Sequence, residues 1–298
     1  MKIGYACINT SLPCRSSSTF RLSSYSEKQL EKTISDNLSC LWEILHYNLK
    51  HNILFFRITS GLIPFASHPA NRYPWQKKFG KCFAQIGQFV RKNKIRLSLH
   101  PGHFTLINSP RTTIFKRSFV DLLYHSEILD LLQVDQTHKI QIHVGGIYGN
   151  KENSLKRFIS RYLKLPQIIK KRLVLENDER LYSLKDCLEI NRATGIPIVL
   201  DVFHHRLNNN KESIREALLQ SMSTWKKKDG LPTVDYSSQS RIKRLGSHAA
   251  TLDLEDFWRF LKETIGYDFD LMLEVKDKEK SAVKAVAFLS EKQHFLIN

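Results

Sequence analysis

The chain is predicted to be α/β and to close into a (β/α)8 TIM barrel, and three observations carry that prediction. Short apolar runs of strand length alternate with amphipathic helical stretches from one end to the other. The alternation yields eight strand–helix units of roughly 35 residues within the 298. No linker, low-complexity segment or internal repeat interrupts it, so residues 1–298 are expected to form one barrel domain. An open doubly wound sheet is the competing arrangement. It carries a glycine-rich turn after its first strand, and residues 9–15 have none.

The elements follow in order. Residues 2–9 alternate in polarity and run into Thr10-Ser11-Leu12-Pro13, which reads as a strand and a loop rather than the apolar core of a signal peptide. Ser26 caps a long helix whose Leu30, Ile34, Leu38, Leu41, Leu45 and Leu49 fall mostly four apart on one face. A strand over 53–58 is followed by a Ser- and Pro-rich loop carrying His68, then a helix over 75–93. The third strand, 95–100, stops at Pro101-Gly102; a helix covers 112–132 and a strand 139–143, stopped by Gly145-Gly146. A helix over 154–171 should kink at Pro166. Leu173-Val174-Leu175 makes a strand buried on both faces, followed by a helix over 183–193 with Gly195 as its stop. The remaining pairs are strand 196–202 with helix 213–225, strand 232–236 with helix 254–265, and strand 269–275 with helix 280–291.

Composition narrows the partners. No run approaches the ~20 apolar residues that cross a membrane as a helix. Cys7, Cys14, Cys40, Cys82 and Cys187 are scattered and never spaced C-x-x-C, which predicts free thiols in a reducing compartment and no zinc ribbon. Lys and Arg number 46 against 29 acidic residues, a net charge of +17 that favours a polyanion such as nucleic acid.

Chemistry in such barrels lies at the C-terminal strand ends. Those ends carry Asn9, Arg57 with nearby His68, His100, His143, Glu176, Asp201 with His204 and His205, Asp235, and Glu274. A solvated rim would mix Lys, Ser, Gln and Gly; this one concentrates His, Asp and Glu in one bowl. Glu176 ends a rigid strand, where a carboxylate can bridge two divalent cations. Asp201-Val202-Phe203-His204 can send a carboxylate and an imidazole to neighbouring ions. Mixed imidazole and carboxylate donors suit Zn2+, Mn2+ or Fe2+ better than Ca2+. Two or three such ions can generate hydroxide and stabilise a leaving oxygen in phosphodiester hydrolysis, so a basic protein with this rim is a candidate nuclease.

These residues also fall into a familiar series. Gly4-Tyr5 with Asn9, Arg57-Ile58-Thr59-Ser60 with Ser67-His68-Pro69, Leu99-His100-Pro101-Gly102 and Ile142-His143-Val144-Gly145-Gly146 open it. Leu175-Glu176-Asn177-Asp178, Asp201-Val202-Phe203-His204-His205, Asp235-Tyr236-Ser237-Ser238-Gln239, Ser247-His248-Ala249 and Leu273-Glu274-Val275-Lys276 complete it. The set resembles the motifs of the UV damage endonuclease family, in order, from residue 2 to about 287.

The resemblance implies a barrel like those of AP endonucleases and xylose isomerases, with a divalent metal cluster usually assigned to manganese. It implies cleavage immediately 5′ of ultraviolet photoproducts (cyclobutane dimers and 6-4 photoproducts), leaving a 3′-hydroxyl and a 5′-phosphate. One ion would be held by His100, His143 and Glu176. A second would share Glu176 and add Asp201, Asp235 and Glu274, and a third would use His204 and His248. Glu176 and His68 are the implied catalytic residues. Tyr5, Asn9, Arg57, His103, Phe104 and Lys276 are the implied DNA contacts, with Tyr5, His103 and Phe104 filling an opened base step. The implied partner is damaged double-stranded DNA, met by a cytoplasmic, nucleoid-associated monomer.

Two positions and one residue pair depart from the family pattern. Thr233 stands where a carboxylatable lysine is expected, and Asp235 where a histidine is expected. Asp remains a good Mn2+ ligand, but threonine cannot supply a carbamate, so a weakly held third ion is expected. His103-Phe104 replaces a Gln-Tyr type probing pair, and its aromatic ring can still stack on an unstacked step. Two other readings compete. A sugar isomerase or epimerase uses the same barrel and ligand types but has no need of a +17 charge. A catalytically dead DNA-binding descendant is disfavoured by the retention of Glu176, Asp201 and Glu274.

Overall fold

Strand parity sorts this chain's side chains into two environments. Along each strand, alternate residues point out to the helices or in to the barrel axis. The outward set, including Phe56, Leu97, Leu99, Ile140, Ile142, Leu173, Leu175, Leu200, Val234 and Leu271, joins the helices' apolar faces in one large core. The inward set holds a small apolar cluster of Ala6, Phe55 and Met272, with polar and charged residues above and below it.

The structure, a computed structural model, describes residues 1–296, with side chains to residue 292. Its elements run β1 (Ile3–Cys7), α1 (Glu27–Lys50), β2 (Phe55–Ile58), α2 (Trp75–Lys92), β3 (Arg96–Leu99), α3 (Thr112–Leu131) and β4 (Lys139–His143). They continue α4 (Lys151–Leu163), α5 (Gln167–Lys170), β5 (Leu173–Glu176), α6 (Leu184–Thr194), β6 (Ile198–Asp201), α7 (Val202–Leu207) and α8 (Ile214–Met222). The last are β7 (Thr233–Tyr236), α9 (Leu254–Glu263), β8 (Asp270–Leu273) and α10 (Glu279–Leu296). All eight strands are parallel and paired in sequence order, and β8 pairs with β1 to close the barrel. The expected (β/α)8 architecture is therefore present. No helix among the described residues is long and apolar enough to cross a membrane.

Local differences from the sequence expectation have physical causes. The helix expected over 154–171 is two helices, because Pro166 caps α5 instead of kinking a continuous one. Proline lacks the N–H and crowds the preceding turn. The strand expected to reach residue 202 stops at Asp201, whose side chain accepts from the His204 backbone N–H and so starts α7. Gly195 ends α6 in the left-handed conformation, φ 72°, as its place in the sequence predicts. The cysteine expectation is corrected. Cys14 and Cys40, 26 residues apart with Cα atoms at 5.6 Å, form a disulfide that ties the loop after β1 to α1, while Cys7, Cys82 and Cys187 are free.

The opposite end of the barrel is closed by buried ion pairs. Arg96 meets Asp270 at 2.9 Å, and Lys139 meets Asp229 at 2.6 Å. Each charge is paired, as burial demands.

Candidate metal centre and nucleic-acid interface

Inward parity at the C-terminal strand ends gathers Arg57, Gln141, His143, Glu176, Asp201 and Asp235, with His100 and Glu274 one residue beyond β3 and β8. Glu176 is their hub. Its Oε2 lies 3.1 Å from His100 Nε2 and 3.4 Å from His143 Nε2, and its Oε1 lies 3.2 Å from His204 Nδ1. Asp201 Oδ2 lies 3.4 Å from the same His204 nitrogen. Among the described residues, three groups could each hold a metal ion: His100 with His143 and Glu176; Glu176 with Asp201 and His204; Asp201 with Asp235 and Glu274. Within each group the ligand atoms lie within 4.8 Å of one another.

The surrounding backbone holds these side chains in place. His100 Nδ1 faces the Pro101 carbonyl at 3.2 Å, which leaves Nε2 toward Glu176. His248 Nδ1 faces the Glu274 carbonyl at 2.7 Å. Asn177 clamps β5 to β6, donating to the Asp201 carbonyl at 3.0 Å and accepting from the Asp201 N–H at 2.9 Å. Past His143 the chain must turn sharply. Gly145 does so with φ 111°, where a Cβ would also meet Asn108 Oδ1 at 2.3 Å.

The electrostatics are compatible with a bound cation. Burial disfavours the Glu176 carboxylate, but His143, His100 and His204 outweigh it and hold the group well below the ordinary carboxylate range. Burial, joined by Glu176 and Glu274, pushes Asp201 up to about 7 despite His204. Asp235 is driven well up by burial and its carboxylate neighbours in spite of Arg57. His204, although buried, is raised to about 11 by Asp201 and Glu176. Each raised group keeps a proton where a divalent ion would otherwise neutralise the carboxylates. Asp201 Oδ2 and Asp235 Oδ1 are buried and accept no hydrogen bond, so the residues present fit a divalent cation.

Several expected residues are repositioned by the structure. Arg57 is 3% exposed and donates to Asp235 Oδ2 at 2.7 Å, to Gln141 Oε1 at 3.0 Å and to Glu274. It is an internal counter-ion and not a DNA contact, because the carboxylates around it need its charge. The ligand set expected for a second ion is correspondingly divided. Asp201 faces both His204 and the Asp235–Glu274 pair that Arg57 neutralises. Tyr5 is fully buried, donates to Asn48 Oδ1 at 2.7 Å and accepts from Asn9 Nδ2 at 3.0 Å. Tyr5, expected to fill a base step, is instead turned outward toward α1 by β1, and Asn9, expected as a DNA contact, is buried against it. His68 is exposed on the loop after β2, where its Nδ1 accepts from the Ala70 N–H at 3.1 Å, and it joins none of the ligand groups. The His248 ring comes within 6.3 Å of the His204 ring but completes no three-ligand group among the described residues. Thr233 is buried on the inner face, two residues below Asp235.

Gln141 belongs to this cluster and was missed by sequence reading. Its Nε2 donates to Glu176 Oε2 and to Asp235 Oδ2, both at 2.6 Å, and so joins the two carboxylate sets. Its signal was its parity with His143 in β4. The rim residues His103, Phe104 and Lys276 are exposed, as a DNA-facing role requires. A cleft of about 680 Å3 runs past His103, His143, Arg180, His204 and Glu274.

The chain is similar to known proteins along nearly its whole length. The family model described as UV-endonuclease UvdE matches residues 1–295. A UV DNA damage endonuclease of Clostridium perfringens is 40% identical over 293 residues, covering 98% of this chain and 71% of that protein. The crystal structure of SacUVDE superposes with a TM-score of 0.94 at 46% identity, covering 98% of this chain and 99% of the other. Endonuclease IV from Thermus thermophilus shares the fold, with a TM-score of 0.61 at 13% identity over 97% of this chain and 99% of that one.

Proposed function

The chain belongs to the UV-endonuclease UvdE family, and from that premise we propose that it is a metal-dependent DNA repair endonuclease that hydrolyses the phosphodiester immediately 5′ of ultraviolet photoproducts. The products are a 3′-hydroxyl and a 5′-phosphate, and the whole barrel acts as one catalytic domain. One observation carries the reading. A single buried carboxylate, Glu176, faces three imidazoles at the mouth of a basic barrel, within groups of residues able to hold cations.

His100, His143 and Glu176 would hold one divalent ion, and Glu176, Asp201 and His204 a second. Asp235, Glu274 and His248 stand by as further ligands. The mixed oxygen and imidazole donors suit Mn2+. When bound, such ions supply hydroxide at neutral pH and offset charge on the leaving oxygen. Gln141 and Arg57 keep Glu176, Asp235 and Glu274 oriented while the cluster fills. The exposed His103 and Phe104 approach the bases, and Lys276 the phosphates. The substrate is damaged duplex DNA, whose phosphates a +17 protein attracts.

Nicking of irradiated plasmid by purified protein, with and without chelator and with Mn2+ restored, tests the reading. Glu176→Gln should abolish incision while leaving DNA binding largely intact, because a neutral amide cannot offset two ions. Retention of more than about a tenth of wild-type nicking sinks the bridging role, since losing such a group should cost several kcal/mol of transition-state stabilisation.

A further inference from the structure

The three most exposed large apolar side chains among the described residues are Ile242 at 92%, Phe104 at 80% and Leu245 at 78%. All three lie on loops at the C-terminal rim. Phe104 follows β3, and Ile242 and Leu245 follow β7. In an eight-stranded ring these strands are four apart, so the loops rise from opposite sides of the bowl. Exposed apolar surface is costly unless a partner covers it.

The loop after β7 is built as a rigid finger. Gln239 bridges His248 in antiparallel fashion, the Ser240 N–H donates to the Ser247 carbonyl at 2.7 Å, and the Ala249 N–H donates to the Ser238 carbonyl at 2.9 Å. Inside it, the Gln239 side chain donates to the Ser240 and Arg244 carbonyls and accepts from the Gly246 N–H. Gly246 makes the bend with φ 84°. Its root is His248, which rests on the Glu274 carbonyl beside the metal centre.

Charge surrounds the apolar tip. Arg241, Lys243 and Arg244 flank Ile242 and Leu245 and are exposed. Arg241 alone of these pairs with an acid among the described residues, Asp253. Lys243 stands beside Lys276. Two cations brought together on open surface call for an anion between them.

Resting on the reading above, we infer that this finger is a second lesion probe. Ile242 and Leu245 enter the distorted base step of damaged duplex DNA from the side opposite Phe104, while Lys243, Arg244 and Lys276 grip the flanking phosphates. Aliphatic wedges flanked by basic residues act in this way on kinked duplexes. The mixing of apolar and basic residues, the bracing and the root at His248 together tie the wedge position to the incision site.

The test is Ile242→Ser/Leu245→Ser against wild type, Phe104→Ala and Lys243→Ala. Each is assayed by competition binding to matched duplexes with and without one cyclobutane dimer, across a salt series. A 2-aminopurine opposite the dimer reports unstacking. The double variant should lose about tenfold in lesion preference together with the fluorescence rise, at unchanged salt slope. Lys243→Ala should lower the salt slope by about 1 and leave the preference alone. Unchanged melting temperature and metal content exclude misfolding, and Ile242→Phe, a bulkier wedge, should keep the preference. A double variant with wild-type preference and fluorescence overturns the second probe and leaves the endonuclease reading intact. If wild type neither prefers nor nicks the dimer duplex, the endonuclease reading fails and the probe falls with it.

Discussion

Replacing Arg57 by Met should destabilise the metal-free protein more than any other single change at the site. The side chain is buried and donates to Asp235, Glu274 and Gln141. Methionine fills similar volume, so the loss is one of charge rather than packing. Removing one partner from a buried ion pair costs about 3–5 kcal/mol, because the other charge stays buried and uncompensated. At about 2–4 °C per kcal/mol for a chain of this class, the melting temperature should fall by roughly 6–20 °C.

The loss should carry a pH signature. Asp235 already sits well above its ordinary value through burial and its carboxylate neighbours, against the pull of Arg57, and losing that cation raises it further. A carboxyl whose folded pKa is raised binds its proton more tightly folded than unfolded, so stability is lost as pH rises. The deficit of the variant should therefore grow as the pH is raised through the range where Asp235 ionises in wild type but still holds its proton in the variant. Divalent metal should stabilise the variant, adding about 2.7 kcal/mol at a hundred times its dissociation constant. Denaturant titrations at several pH values, with chelator and with Mn2+, read all of this. A loss below about 1 kcal/mol, or one indifferent to both pH and metal, would refute the counter-ion role.

Three further outcomes are expected. Phe104→Ala should reduce the preference for damaged duplex at unchanged salt slope, whereas Lys276→Ala should lower the slope by about 1 and spare the preference, as competition binding will show. His138 is pushed down to about 3 by burial and accepts from the Leu97 N–H at 2.9 Å. It protonates on unfolding before it does so in the fold, so stability should fall as pH drops from about 6.5 toward 3, by up to ~1.4 kcal/mol per unit, and His138→Gln should flatten that slope in denaturant titrations. Replacing Cys14 and Cys40 by Ser opens a 26-residue loop and should cost about 3 kcal/mol, equal to the effect of reductant on wild type; no change in either comparison removes the bond from the stability account.

Much of the ligand set was legible because it depends on strand ends, and apolar runs followed by His, Asp or Glu mark those ends directly. His100, His143, Glu176, Asp201, Asp235 and Glu274 all converge. Strand parity held more than was taken from it. In Lys139-Ile140-Gln141-Ile142-His143, placing His143 inward places Gln141 inward too. In β1, Gly4 and Ala6 face the axis, which sends Tyr5 out to α1. Arg57 read as a phosphate contact because sequence order does not show how many carboxylates share one interior. The Cys14–Cys40 bond depends on a loop's path against α1, which no local pattern encodes. The short helix α7 was hidden because Asp201 reads equally well as a strand end and as a helix cap.

The separation of inward from outward positions also constrains how this chain can change over generations. Inserting or deleting one residue within β4 would exchange Lys139, Gln141 and His143 for Ile140 and Ile142, and turn the ligand face inside out. The barrel strands therefore admit replacement but not change of length. The rim loops carry no such parity restriction, since the segments bearing His103-Phe104 and 239–248 lie outside the register of the barrel strands. Lineages can thus lengthen, shorten or recharge these loops, and alter which distorted DNA is held, while inheriting the ligand face unaltered.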